Sequence, residues 1–110
     1  MERNRQLPLT ETVYYILLAV IEPAHGYLII QKIDQLSNGQ VKMAAGTLYG
    51  AIENLTKLQF IQPITSRDSR RKVYEITEKG REILLLDQSR MQHMINVTTS
   101  LLNNEEEDNR

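Results

Sequence analysis

Two groups of residues in this 110-residue chain could act on something outside it. The first is basic. Between positions 42 and 72, Lys42, Lys57, Arg67, Arg70, Arg71 and Lys72 are set against only Glu53 and Asp68, whereas the whole chain carries a net charge of −1. Clustered Lys and Arg neutralise phosphate, and the local field of such a patch governs binding more than the whole-chain sum. The second is the run Gly46-Thr47-Leu48-Tyr49-Gly50, in which hydrogen-bonding side chains stand between residues that have none. Groups suited to bond-making chemistry are scarce. His25 and His93 have no second histidine or carboxylate at metal spacing, there is no cysteine, and no glycine-rich phosphate loop precedes a lysine. An enzyme, a metal site and a bound cofactor are therefore not expected. His25 reads as a turn or capping residue and His93 as a surface one.

The stretch that must position the second group is Met43 to Phe60. Leu48, Ile52, Leu55 and Leu58 recur at helical spacing and make one apolar stripe. The opposite face holds Gly46, Gly50, Glu53, Asn54 and Lys57, with Thr47 and Tyr49 flanking the stripe. Each glycine costs a helix about 1 kcal/mol relative to Ala. Two readings stay open: a poor helix that tolerates surface glycines, or a helix whose backbone a bulky partner such as a nucleic-acid duplex must approach.

Upstream, Thr10 is a good N-cap, Glu11 suits the positive helix end, and Leu9 can staple onto Tyr14. The run TETVYYILLAVIE is apolar almost all round and is expected to end at Pro23. Either a second copy of the chain covers it, or it is the central helix of a monomer. Ala24-His25-Gly26 then reads as a turn into a short amphipathic helix with Ile29 or Ile30, Ile33 and Leu36 on one side, stopped by Ser37-Asn38-Gly39. Two helices joined this way make a helix-turn-helix pattern. Downstream, Phe60 to Ser66 and Lys72 to Thr77 are strand-like, with Arg67-Asp68-Ser69-Arg70-Arg71 as a polar turn. Such a hairpin is a wing whose cations reach phosphate or a minor groove, or else a solvated tip that keeps an edge soluble.

Thr77 is expected to cap a last helix whose residues Leu84, Met91 and Thr98 are seven apart, with Asp87, Met94 and Leu101 three later. Asp87 and Thr98 spoil a strict coiled coil, so a bundle against the first helix, within and across subunits, is the better expectation. Its methionines are either flexible core filling or part of an apolar effector pocket lined by Leu17, Leu18, Met91, Met94 and Ile95. Arg90 would pair with an acidic ligand or extend into solvent. Composition is that of one globular unit, 41% hydrophobic and 25% charged. The expected division is an arm at 1–9, a winged helix-turn-helix at 10–77, a dimerisation helix at 78–103 and an acidic flexible tail at 104–110. No apolar run of membrane-spanning length and no signal-peptide core occur, so a cytoplasmic location without membrane contact is expected.

Three motifs carry a family resemblance: His25-Gly26-Tyr27 with Ile30 and Ile33, Gly46-Thr47-Leu48-Tyr49, and the run from Arg70-Arg71-Lys72-Val73-Tyr74 to Gly80. In this order and at these separations they resemble the PadR family of winged-helix transcriptional regulators, over about residues 10 to 102. The single C-terminal helix is similar to the smaller branch of that family. The resemblance implies a mainly α fold with a small β-hairpin, and a homodimeric bacterial repressor joined through its first and last helices. It further implies release from a double-stranded DNA operator by a small hydrophobic or aromatic effector. Carried onto this chain, it implies DNA contacts from Tyr27, Lys42, Gly46, Thr47, Tyr49, Gly50, Lys57, Arg67, Arg70, Arg71 and Lys72. A winged helix that binds another protein is the alternative. Two departures stand out. Gln59 occupies a position where relatives commonly have glycine, which bears on the angle of the wing, and Ala44-Ala45 stand where proline or serine is frequent.

Overall fold

The structure, a computed structural model, describes residues 4–65 and 71–108. The elements run α1 (Glu11–Ala19), β1 (Ala24–His25), α2 (Gly26–Leu36), α3 (Ala45–Lys57), β2 (Ile61–Ile64), β3 (Val73–Ile76) and α4 (Glu78–Asp108). Three short helices and a three-stranded antiparallel sheet of order β1-β3-β2 enclose one core, and α4 extends beyond it. The fold is mainly helical with a small sheet, as the sequence implied.

Thr10 caps α1, its hydroxyl accepting from the Val13 amide at 3.1 Å. The helix then stops at Ala19, well before Pro23. The cause is tertiary: the Val20 carbonyl accepts from the Ile76 amide at 2.9 Å, which draws the chain out of the helix to meet β3. Ala24 and His25 also differ from the sequence expectation. They pair with Tyr74 and Val73 as a strand where a turn was expected, and the side chain of His25 makes no capping bond to α2. In α2, Ile29 and Ile33 are buried but Leu36 is 52% exposed, so the expected stripe is shorter by one residue. Asn38 and Gly39 close that helix with positive φ, and the Gly39 amide returns to the Asp34 carbonyl at 2.8 Å.

Leu48, Ile52 and Leu55 of α3 lie in the core beside Ile16, Leu17 and Ile29. Gln59 follows in the left-handed region at φ 65, a conformation that costs a non-glycine residue about 1 kcal/mol. Pro63 sits opposite Tyr74 on β2, an edge strand, where its missing N–H removes nothing from the ladder's interior. Tyr74 and Ile76 point inward and Phe60 and Ile61 close the base.

The 31 residues of α4 span about 46 Å at 1.5 Å each, which gives the molecule its 64 Å long axis. Its N-terminal half packs on the core through Ile83, Leu84 and Asp87, the last only 1% exposed. Asp87 is not an intruder in an apolar seam, because the Arg90 Nε donates to its carboxylate at 2.6 Å, pairing a charge that would otherwise be costly to bury. Beyond Met91 the same face continues as Met94, Ile95, Leu101 and Leu102, flanked by Val97, each 42–63% exposed. The helix also continues through Asn104 to Asp108, where a flexible tail was expected; glutamate is a good helix former.

Candidate nucleic-acid interface

The exposed face of α3 begins without a side-chain cap. Ala44 occupies the N-cap and offers no hydrogen-bonding side chain, so the first-turn amides of α3 point outward unpaired, carrying the partial positive charge of the helix end. Gly46, Thr47, Tyr49 and Gly50 follow on that surface, all exposed. Among the described residues, a Cβ placed on Gly46 or Gly50 would meet no atom within 4 Å. Neither glycine is needed for packing against the described residues, which leaves the space above them open to whatever approaches the backbone.

Tyr49 reaches sideways from this helix. Its hydroxyl lies over Gly26, where a Cβ would come within 2.6 Å of it, so the glycine opening α2 makes room for the phenol. The ring remains 54% exposed. Tyr74 of β3 lies beneath; burial first, and the adjacent Tyr49 second, push its phenol above the ordinary value of 10.0. Tyr27, at the start of α2, is 67% exposed beside them. His25, Tyr27, Tyr49, Arg71 and Lys72 line one hollow of about 350 Å³. A larger groove of about 630 Å³ runs between α3 and the hairpin, bordered by Tyr49, Glu53, Thr56, Lys57, Arg71 and Lys72. Of the wing cations, Arg71 and Lys72 are exposed at the base of β3, whereas Arg67 and Arg70 lie outside the described residues.

Lys42 and Lys57 are each engaged within the chain. Lys42 Nζ lies 3.2 Å from Asp34 and Lys57 Nζ 3.5 Å from Glu53 on the next turn. Both pairs are well exposed, and such surface pairs contribute about 0–1 kcal/mol, so either lysine can exchange its partner for another anion at little cost. Glu53 places a carboxylate in the groove itself. Sequence reasoning missed three participants here: Gly26 and Tyr74, which seat Tyr49, and Thr56, which lines the groove. Gly26 and Tyr74 belonged to recognised motifs, but only the folded chain brings them under Tyr49.

The effector-pocket residues do not converge in the single chain. A cavity of about 440 Å³ between α1 and α4 is lined by Leu9, Tyr14, Tyr15, Leu18, Asp87 and Met91, with Glu11 at its edge. Leu18 and Met91 are there, but Leu17 is fully buried in the core and Met94 and Ile95 lie exposed. Arg90, considered for an acidic ligand, is bonded to Asp87. Tyr14 is pushed above its ordinary phenol value by burial and then by Asp87. Among the described residues, no group of His, Asp or Glu is arranged to hold a metal ion, and no helix is long and apolar enough to cross a membrane.

A helical core whose α2 and α3 form a helix-turn-helix, followed by the β2–β3 hairpin, defines a winged helix. The chain belongs to the PadR-like family of transcriptional regulators, whose model matches residues 16–85. It is thus a transcription regulator, not an enzyme. A PadR-like transcriptional regulator from Bacillus cereus superposes with a TM-score of 0.67 at 22% identity, over 90% of this chain and 97% of that one. A Bacillus subtilis PadR solved in complex with operator DNA gives 0.60 at 22% identity, over 70% of this chain and 46% of that one. In sequence, 62 residues are 36% identical to an uncharacterised 37.1 kDa protein of a Streptomyces fradiae transposon, 56% of this chain but 17% of that protein.

Proposed function

We propose that the chain is a homodimeric repressor that lays the N-terminal half of α3 from each copy into successive major grooves of a two-fold symmetric duplex operator, with the hairpins alongside. The carrying observation is the face of α3: Gly46, Thr47, Tyr49 and Gly50 exposed, open space above both glycines, and free first-turn amides at an uncapped end. Thr47 and Tyr49 meet phosphates or base edges, and the glycines let the backbone come close. Tyr27, Arg71 and Lys72 border the same surface and supply phosphate contacts, joined by Lys42 and Lys57 once they leave their carboxylates. Arg67 and Arg70 would extend the cationic edge. The use of this fold on operator DNA by the Bacillus subtilis PadR supports the reading.

The second copy is supported by α4. Its apolar stripe runs past the edge of its own core, and full burial of one Leu, Ile or Met side chain stabilises by about 1.5–3 kcal/mol. A partner's α1 and α4 are the surfaces that can cover it. The cavity between α1 and α4 lies against that seam, and a small hydrophobic or aromatic effector seated there would shift how the two copies meet.

The salt dependence of binding tests this. With about four phosphates engaged per subunit, log affinity falls against log salt with a slope of about −7 for the dimer. Replacing Arg71 and Lys72 by Ala removes about two contacts per subunit and flattens the slope by about 4. A wild-type slope near −1 contradicts the reading. Binding of a protein partner that survives this double replacement, with no duplex bound, favours the protein-interaction alternative.

A further inference from the structure

The exit of α3 and the start of α4 are bonded to each other through one residue. After Lys57 the chain reverses through Gln59, and the Phe60 amide turns back to the Leu55 carbonyl at 3.0 Å. Thr77, directly before α4, holds both residues of that reversal. Its amide donates to the Phe60 carbonyl at 3.0 Å and its hydroxyl donates to the Gln59 carbonyl at 2.6 Å. The same hydroxyl oxygen accepts from the Gly80 amide at 2.9 Å, capping α4. Gly80 is buried so close to the Phe60 carbonyl that a Cβ would collide with it. The Lys79 ammonium lies 5.6 Å from the centre of the Phe60 ring, fastening the other side.

A junction held by one flexible loop would let α4 swing. Here two hydrogen bonds to consecutive carbonyls, a cap and a steric stop act within four residues, so the angle between α3 and α4 is defined. The lever is long. On an arm of about 46 Å, a rotation of about 10° at the joint moves the far end about 8 Å, more than the 3.4 Å rise of one DNA base pair. The angle therefore decides where the second α3 stands once two copies associate through α4.

We propose that Thr77 and Gly80 are positioning residues that lock α4 to the exit of α3 and thereby set the half-site spacing the dimer accepts. This rests on the dimeric DNA-binding reading, so its test has an arm that does not need DNA. The chain has no cysteine, which leaves exposed Asn54→Cys and Ser89→Cys as clean spin-label sites, one on each helix. Labelled full-length chain diluted into unlabelled chain reports the intramolecular distance by double electron–electron resonance. The label distribution is expected to be narrow with Thr77 and with Thr77→Ser, and broad with Thr77→Val, which keeps the shape and deletes the hydroxyl. Thr77→Asp preserves a cap for Gly80 but cannot donate to Gln59; it broadens the distribution too, and serves if the valine variant fails to fold.

The second arm uses duplexes selected by the wild-type chain from a randomised library, then lengthened or shortened by two base pairs between half-sites. Wild type and Thr77→Ser should lose about tenfold or more in affinity, the folded Val or Asp variant less than about threefold. A narrow distribution in folded Thr77→Val or Thr77→Asp overturns the joint. Broadening with unchanged spacer dependence overturns its role in spacing. Wild-type chain that selects no duplex, or ignores the spacer, refutes the dimeric reading and the spacing role with it, while the label distances still judge the joint.

Discussion

The outer face of α3 and the outer half of α4 are both bare, yet they are made of opposite materials. On α3 the exposed residues are small or polar, Gly46, Thr47, Tyr49 and Gly50 among them, beside Arg71 and Lys72. On the outer half of α4 an apolar stripe of Met94, Ile95, Leu101 and Leu102, flanked by Val97, lies exposed between polar neighbours. The glycines weaken their own helix without serving the core, whereas the α4 residues continue a stripe that, one turn earlier, does serve it. A surface that sacrifices helix stability for closeness suits a polar, bulky ligand. A stripe that outruns its core suits another copy of the same stripe.

Substitutions on the two surfaces should therefore have opposite signatures. The largest effect belongs to α4: Leu101→Asp with Leu102→Asp should weaken self-association about a hundredfold or more, since two buried leucines contribute at least about 1.5 kcal/mol each. Sedimentation equilibrium across concentration reads this, with circular dichroism confirming the helix. If the double variant associates like wild type, the stripe is not the seam. Next is Gly50→Leu on α3, which should raise thermal stability by up to about 1 kcal/mol through helix propensity while lowering duplex affinity tenfold or more. A variant that is both more stable and an undiminished binder would remove the reason for the glycine.

The contrast was partly legible in the sequence. Periodicity marked Leu48, Ile52 and Leu55 as core and left the glycine face outside, and capping chemistry placed Thr10 and Thr77 at helix starts. What failed to show was decided by long-range pairing. Strand β1 has two residues, too few for an alternating pattern, and exists because β3 pairs with it. Helix α1 yields its last turn because Val20 is bonded to Ile76. Asp87 looked like a defect in a seam until Arg90, one turn on, was found bonded to it. The seat of Tyr49 on Gly26 was equally invisible, since it joins residues more than twenty positions apart.

A smaller effect sharpens the packed side of the comparison. The Tyr74 phenol is held above its ordinary value of 10.0, so the folded state keeps this proton more tightly than the unfolded chain does. The corresponding stability is fully present below pH 10 and is lost as pH rises through the raised value. Chemical denaturation at alkaline pH should show wild type losing stability more steeply than Tyr74→Phe. Equal slopes would mean that burial of this phenol does not matter to the base of the wing.

The proposed arrangement puts two chains on one operator. Light scattering of the chain on a selected duplex, read alongside a duplex cut to one half-site, measures this directly. Two chains on the full duplex and much weaker binding to the half-site are expected; one chain per duplex, with equal affinity for both DNAs, would contradict the dimeric arrangement.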